Sequence, residues 1–240
     1  MIDPKLLAES GVLLVDKPEE WTSHDVVNCV RRRFRVKKVG HCGTLDPAAT
    51  GLLVIVLGKA TKLSSRLSGQ DKVYTGTMRL GVETTTQDRE GEVTATRDCS
   101  GIDEAQVRAA LAQFTGEQLQ IPPMVSAVKQ DGKPLYKLAR KGIEVEREPR
   151  PICIHELTVA EVRLPDVDFT VACTKGTYVR TLCVDIGNVL GCGAHLAALR
   201  RTHSGAFDIA DAVTIDEIKT WEREDLLARM MPLTELMKHL

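Results

Sequence analysis

Hydrophobic and polar positions along this 240-residue chain fall into short runs of two different periods. Gly11–Asp16 carries Val-Leu-Leu-Val and predicts a buried strand, and the unbroken apolar run Leu52–Leu57 predicts another. Lys72–Leu80 alternates, with Tyr74, Gly76, Met78 and Leu80 on one side and Val73, Thr75, Thr77 and Arg79 on the other, as a half-exposed strand does. Val26, Val27, Val30 and Phe34 form a helical stripe that Thr22 or Ser23 would cap. Asp103 is placed to cap a second helix over Glu104–Phe114, with Val107, Leu111 and Phe114 toward the core. A short helix near Leu135–Lys141 closes at Gly142. Ile152–Leu164 and Asp168–Thr174 predict a hairpin joined at Pro165-Asp166, Thr177–Leu190 a helix ended by Gly191, and Asp216–Glu224 and Asp225–Met231 two acidic helices. Gly40–Gly51 and Gly81–Gly91 read as loops. Strands cluster instead of alternating strictly with helices, which favours an α+β fold.

Composition adds little at first. The chain is 43% hydrophobic and 27% charged, ordinary for a globular protein, and only 4% aromatic, so the core must be aliphatic. No apolar run approaches a membrane span, and Met1-Ile2-Asp3-Pro4-Lys5 lacks a signal-peptide pattern. Seven cysteines without a Cys-x-x-Cys pair argue against a disulfide framework and a ribbon-type zinc site, and imply reduced thiols in a cytoplasm. The formal net charge is −1, but it is segregated: residues 1–80 carry +5, 125–150 and 175–205 carry +3 each, and acidic blocks lie between them. A near-neutral chain with such blocks can present one positive face to nucleic acid. The run Arg31-Arg32-Arg33-Phe34-Arg35-Val36-Lys37-Lys38 also suits the C-terminal end of a helix on its own account.

The strongest local signal is Gly40-His41-Cys42-Gly43-Thr44-Leu45-Asp46-Pro47, running on to Gly51. Pro47 biases Asp46 toward extended or turn backbone at the entry to a buried strand. A carboxylate there suits a site that must hold and expose it, or simply caps a turn. Cys42 beside His41 is a rival nucleophile. Familiar nucleotide and metal signals are absent. Gly58-Lys59-Ala60-Thr61 lacks the P-loop Ser/Thr, Gly191-Cys192-Gly193 has Leu196 where a third glycine would fall, and no metal-ligand spacing occurs. No cofactor and no metal are expected.

Five blocks, in order from about residue 11 to 207, carry a resemblance to a family. They are Gly11–Pro18 with Trp21-Thr22-Ser23; Gly40–Gly51; Asp71-Lys72-Val73-Tyr74 with Arg79-Leu80-Gly81 and Thr84–Asp88; Gln120–Pro123 with Ser126–Lys129 and Tyr136–Arg140; and Lys175–Leu182 with Leu199–Thr202. Together they resemble bacterial tRNA pseudouridine synthases of the TruB type. The resemblance implies a mixed, mainly antiparallel sheet flanked by helices and loops. It also implies conversion of the T-loop uridine (position 55) of tRNA to pseudouridine, by base flipping and exchange of the N1–C1′ bond for C5–C1′.

By the same resemblance Asp46 takes the catalytic aspartate position and Arg180 that of the arginine which pairs with it. Tyr74 matches the tyrosine that stacks on the base and is implicated in the late proton transfer from C5. Tyr178 and Leu199 match pocket walls, Lys17 a residue supporting the site, and His41 the histidine that fills the vacated stacking space. Asp88 sits at a family-like loop position where it would hold a basic side chain in the RNA-binding face. Lys129 and Lys133 are candidates for phosphate contacts.

Two departures stand out. Glu19-Glu20-Trp21 replaces the family's usual glycine-bearing turn. The chain ends at Leu240 after the acidic helices, so a single catalytic domain over 1–240, with residues 208–240 as acidic helices and the RNA-binding PUA module absent or vestigial, is expected. The expected partner is the tRNA T-arm, with no membrane, no obligatory protein partner and a monomeric state. A non-catalytic RNA-binding or tRNA-folding chaperone on the same fold is the alternative. A guide-RNA-dependent relative would be expected to carry further domains.

Overall fold

The computed structural model describes residues 10–126, 128–130 and 132–238; the Met1–Lys5 segment and Ala127 of the fourth block lie outside them. In chain order the main elements are β1 (Gly11–Lys17), α1 (Ser23–Phe34), β2 (Val39–Cys42), β3 (Thr50–Leu57), β4 (Lys72–Leu80), β5 (Val82–Thr84), β6 (Val93–Thr96), α2 (Glu104–Ala112), β7 (Gly116–Gln120), β8 (Lys129–Gln130), β9 (Lys133–Pro134), β10 (Arg150–Arg163), β11 (Asp166–Cys173), α3 (Val179–Leu190), β12 (Ala194–Ser204), α4 (Ile215–Thr220) and α5 (Arg223–Arg229). The chain divides into two compact units, residues 1–74 with 200–240 and residues 75–199, and passes between them within β4 and within β12.

In the first unit β1 pairs antiparallel with β3, Leu13 opposite Ile55 and Lys17 opposite Gly51, and parallel with Val213–Thr214. β3 also pairs antiparallel with β2 and, at its start, parallel with Arg200 and Arg201. Apolar layers cover both faces of β1 and β3. Leu13, Val15, Leu53 and Ile55 pack with Val26, Val27, Val30 and Phe34 of α1 and Ile215 and Ile218 of α4. Val12, Leu14, Leu52, Val54 and Val56 pack with Ala60, Leu67 and Phe207 on the other side. Burial on both faces explains why β3 reads as a continuous apolar run. α1 starts at the Thr22–Asp25 capping box and stops where Arg35 turns left-handed (φ 54°), with Arg31, Arg32 and Arg33 in its last turn.

The second unit orders its strands β4-β11-β10-β7, with β10 antiparallel to both neighbours. α2 begins at Asp103, which caps it through Gln106, and contacts both β10 and α3. α3 ends at Gly191 in the left-handed conformation (φ 79°). The pairings are mainly antiparallel, as the α+β expectation required.

Several segments differ from the hydrophobic pattern's prediction, among them β7, which pairs with β10 and had no periodic signal. Gly40–Cys42 belongs to β2 instead of a loop, because His41 and Cys42 pair opposite Ile55 and Val54. The Gly81–Gly91 segment contains β5, which forms a hairpin with β6. The eleven residues of β12 carried no strand signal, since its buried positions include His195, Arg201 and Ser204. Among the described residues no helix is long and apolar enough to cross a membrane.

Candidate active site

Asp46 sits half-buried at the first position of a turn, closed by the Ala49 N–H donating to the Asp46 carbonyl (3.1 Å) with Pro47 second. Both neighbours of Asp46 are pinned. Leu45 donates its N–H to Ser23 Oγ (2.8 Å), and Ser23 Oγ donates back to the Leu45 carbonyl (3.1 Å). The Pro47 carbonyl accepts from Lys17 Nζ (3.1 Å) and from the Glu20 N–H (3.0 Å). Lys17 is fully buried and spends further bonds on the carbonyls of Pro18 (2.9 Å) and Trp21 (2.6 Å). The backbone on both sides of this carboxylate is therefore fixed by two anchors. Glu20 adopts φ 66°, a left-handed conformation that glycine takes at no steric cost, so the turn forms here despite the glutamate.

On β2, Cys42 is completely buried and burial pushes its thiol up to about 11, which removes it as a rival nucleophile at neutral pH. Burial and the nearby Arg201 lower the pKa of His41, so its ring is neutral at pH 7. Its Nδ1 is buried and has no hydrogen-bond partner among the described residues. Tyr74 lies half-buried on β4. The first unit therefore holds Lys17, His41, Asp46 and Tyr74, and of these the contacts join Lys17 to the Asp46-Pro47 turn.

In the second unit Arg180 is buried in the first turn of α3. Its Nη1 donates to the Thr86 carbonyl (3.0 Å) and its Nη2 to the Val125 carbonyl (2.9 Å). Asp88, also buried, places its carboxylate 3.5 Å from Arg180 Nη1 while accepting from the Thr86 hydroxyl and the Glu90 N–H (3.1 Å). The basic side chain beside Asp88 is thus an interior arginine. Tyr178 sits at the N-cap of α3, one residue before the helix, and Gln120 holds its backbone by two hydrogen bonds (2.8 and 3.1 Å). Leu199 is half-buried on β12. Lys129 and Lys133 are exposed and lie on paired β8 and β9. Sequence reasoning gave no positioning role to Gln120 or Ser23; an internal glutamine beside the double proline was the available signal for the first. Among the described residues no group of three or more His, Cys, Asp or Glu side chains is placed to hold a metal ion.

The fold is that of the pseudouridylate synthases. The Cbf5 subunit of a Cbf5–Nop10–Gar1 complex superposes with a TM-score of 0.76 at 30% identity, covering 100% of this chain and 65% of that one. An archaeal Cbf5 from a box H/ACA Nop10–Cbf5 complex gives 0.73 at 28%, again with 65% of that chain covered. Residues 31–179 match the N-terminal domain of the TruB family pseudouridylate synthases, and residues 180–238 match the tRNA pseudouridylate synthase B C-terminal domain. The chain belongs to the TruB family. A protein of Opitutus terrae named tRNA pseudouridine synthase B is 52% identical over 233 residues, covering 97% of this chain and 96% of its own length. One of Burkholderia pseudomallei with the same name is 54% identical over 230 residues, covering 96% and 76%.

Proposed function

We propose that this protein isomerises uridine 55 in the tRNA T-loop to pseudouridine, with Asp46 as the reacting carboxylate. The observation that carries the assignment is the turn: Asp46 is the acid whose two neighbours are pinned by Ser23, Lys17 and Glu20. The relatives' shared name supplies the substrate class. The reaction breaks N1–C1′, turns the base, joins C5 to C1′ and releases the C5 proton to solvent as N1 gains one. It is redox-neutral and calls for no cofactor.

Tyr74 is the ring proposed to stack on the base and serve the proton transfer from C5. Arg180, fixed by two carbonyls and Asp88, is the guanidinium assigned to orient the catalytic carboxylate, and Tyr178 and Leu199 are assigned to the pocket wall. A neutral His41 with an unsatisfied Nδ1 loses little on leaving its place, which suits a ring that enters the stack when the base flips. Lys129 and Lys133 supply phosphate contacts, so binding weakens with salt. The protein acts on the T-arm without an obligatory protein partner, as a monomer in the cytoplasm.

The test is incubation with unmodified tRNA transcript, without cofactor, followed by nucleoside analysis. Pseudouridine is expected at position 55 and not in a transcript carrying cytidine there. Turnover that persists in Asp46→Asn would refute the catalytic assignment. A parent protein that binds and refolds tRNA but forms no pseudouridine would support the chaperone reading.

A further inference from the structure

Arg201 is among the most deeply buried side chains of the first unit, at 1% exposure. Burying a guanidinium is costly unless its donors are met, and an aliphatic residue of similar volume would fill the space without that cost. Two of its three nitrogens donate to backbone carbonyls at opposite ends of one segment. Nε donates to Leu52 (2.7 Å) and Nη2 to Gly43 (3.1 Å). The segment between them carries Asp46. One rigid, planar group therefore sets the distance and angle between the two stems of the turn, which a flexible ammonium does less well.

The glycines on the segment fit this geometry. At Gly51 (φ 99°) a Cβ would lie 2.3 Å from the Arg201 carbonyl oxygen and 2.8 Å from its nitrogen, because β3 and β12 meet there backbone to backbone. At Gly43 (φ 88°) a Cβ would come within 3.3 Å of Arg201 Nη1. Backbone pairing at Gly51, the guanidinium at Leu52 and the guanidinium again at Gly43 together close the segment on Arg201. Lys17 and Ser23 hold its middle from the side of β1 and α1.

We infer that Arg201 is a positioning residue for the isomerisation: it fixes the stems of the Asp46 turn and so the place of the carboxylate, without touching substrate. The inference rests on the reading of Asp46 as the reacting group. A displacement of about 1 Å at a reacting group costs on the order of 100-fold in rate, so loosening the stems should be visible in the chemical step.

The experiment compares Arg201→Gln, Arg201→Lys and Asp46→Asn by single-turnover pseudouridine formation at saturating tRNA, by tRNA affinity and by thermal midpoint. Arg201→Gln is expected to lose about 10- to 100-fold in rate while tRNA affinity stays within about threefold. Arg201→Lys, which keeps the charge and can still meet a carbonyl, is expected to recover part of that rate. Hydrogen exchange in Arg201→Lys should quicken within residues 43–52 and stay unchanged elsewhere in the first unit. A folded Arg201→Gln protein within twofold of the parent rate, or one whose loss lies in affinity alone, overturns the inference. Should Arg201→Gln not fold, a parent-like rate and parent-like exchange in Arg201→Lys overturn it instead. Normal turnover by Asp46→Asn would bring down the catalytic reading itself; an inactive Asp46→Asn beside a fully active Arg201→Gln removes only the role given to Arg201.

Discussion

Replacing Lys17 with methionine isolates the polar part of the brace under the Asp46 turn. The two side chains are similar in length, so packing between β1 and α1 is largely kept. What is lost is a charged donor to three carbonyls, at 2.9, 2.6 and 3.1 Å. A hydrogen bond to a charged group contributes about 1.5–3 kcal/mol. The Pro47 carbonyl retains the Glu20 N–H, so the full loss falls on Pro18 and Trp21. The sum is reduced because methionine also removes the cost of burying an ammonium. The net expectation for Lys17→Met is about 2–4 kcal/mol of lost stability. In a urea titration that lowers the midpoint by on the order of 1 M with an unchanged slope. Because Pro47 keeps one anchor of two, single-turnover pseudouridine formation should also fall by about 10-fold at a temperature where the variant is folded. A midpoint within about 0.2 M of the parent would show that the three bonds carry no net stability, and the argued brace would fail with them.

Other perturbations follow from the same structure. Glu20→Gly relieves a left-handed residue worth about 1–2 kcal/mol and costs about 0.5–1 kcal/mol of unfolded-chain entropy, so it should be neutral or stabilising, whereas Glu20→Val should lower the thermal midpoint; a midpoint for Glu20→Gly below the parent's counts against the strain. Gly51→Ala combines a positive φ with a backbone clash at 2.3 Å and should cost about 2 kcal/mol or more in chemical denaturation, a result that parent-like stability would contradict. Asp185, on α3, is pushed up to about 6 by burial. The folded protein then holds a proton that the unfolded chain releases near 3.8, so stability falls as pH rises from about 4 through 6 and is flat above. Asp185→Asn should remove that slope and raise stability at pH 7.5, as denaturation at several pH values would show.

What the sequence disclosed follows from which partners each residue uses. β1, β3 and α1 are legible because apolar side chains meet apolar side chains, and periodicity records that. Asp46 is legible because Pro47 marks the turn locally. The brace around it is less so, since its polar groups bond to backbone far along the chain: Lys17 to Pro47, 30 residues away, Ser23 to Leu45, 22 away, and Arg201 to Leu52 and Gly43, 149 and 158 away. Every residue offers a backbone carbonyl whatever its side chain, so such partners leave no trace in residue type. Of the two cap candidates Thr22 and Ser23, Thr22 is the cap and Ser23 is the pin on Leu45. The trace that does survive is a misplaced cation. Lys17 follows Leu13 and Val15 on one face of β1, where an apolar residue would be expected, whereas Arg201 lies inside β12, a segment without a strand signal. A basic residue at an interior position must be met by something, and here backbone carbonyls meet both cations. Carbonyls gathered at one point imply a chain segment turning back on itself there. The interruption at Lys17 points to this turn from the sequence, Arg201 joins it only through the folded contacts, and the residue at its corner is Asp46.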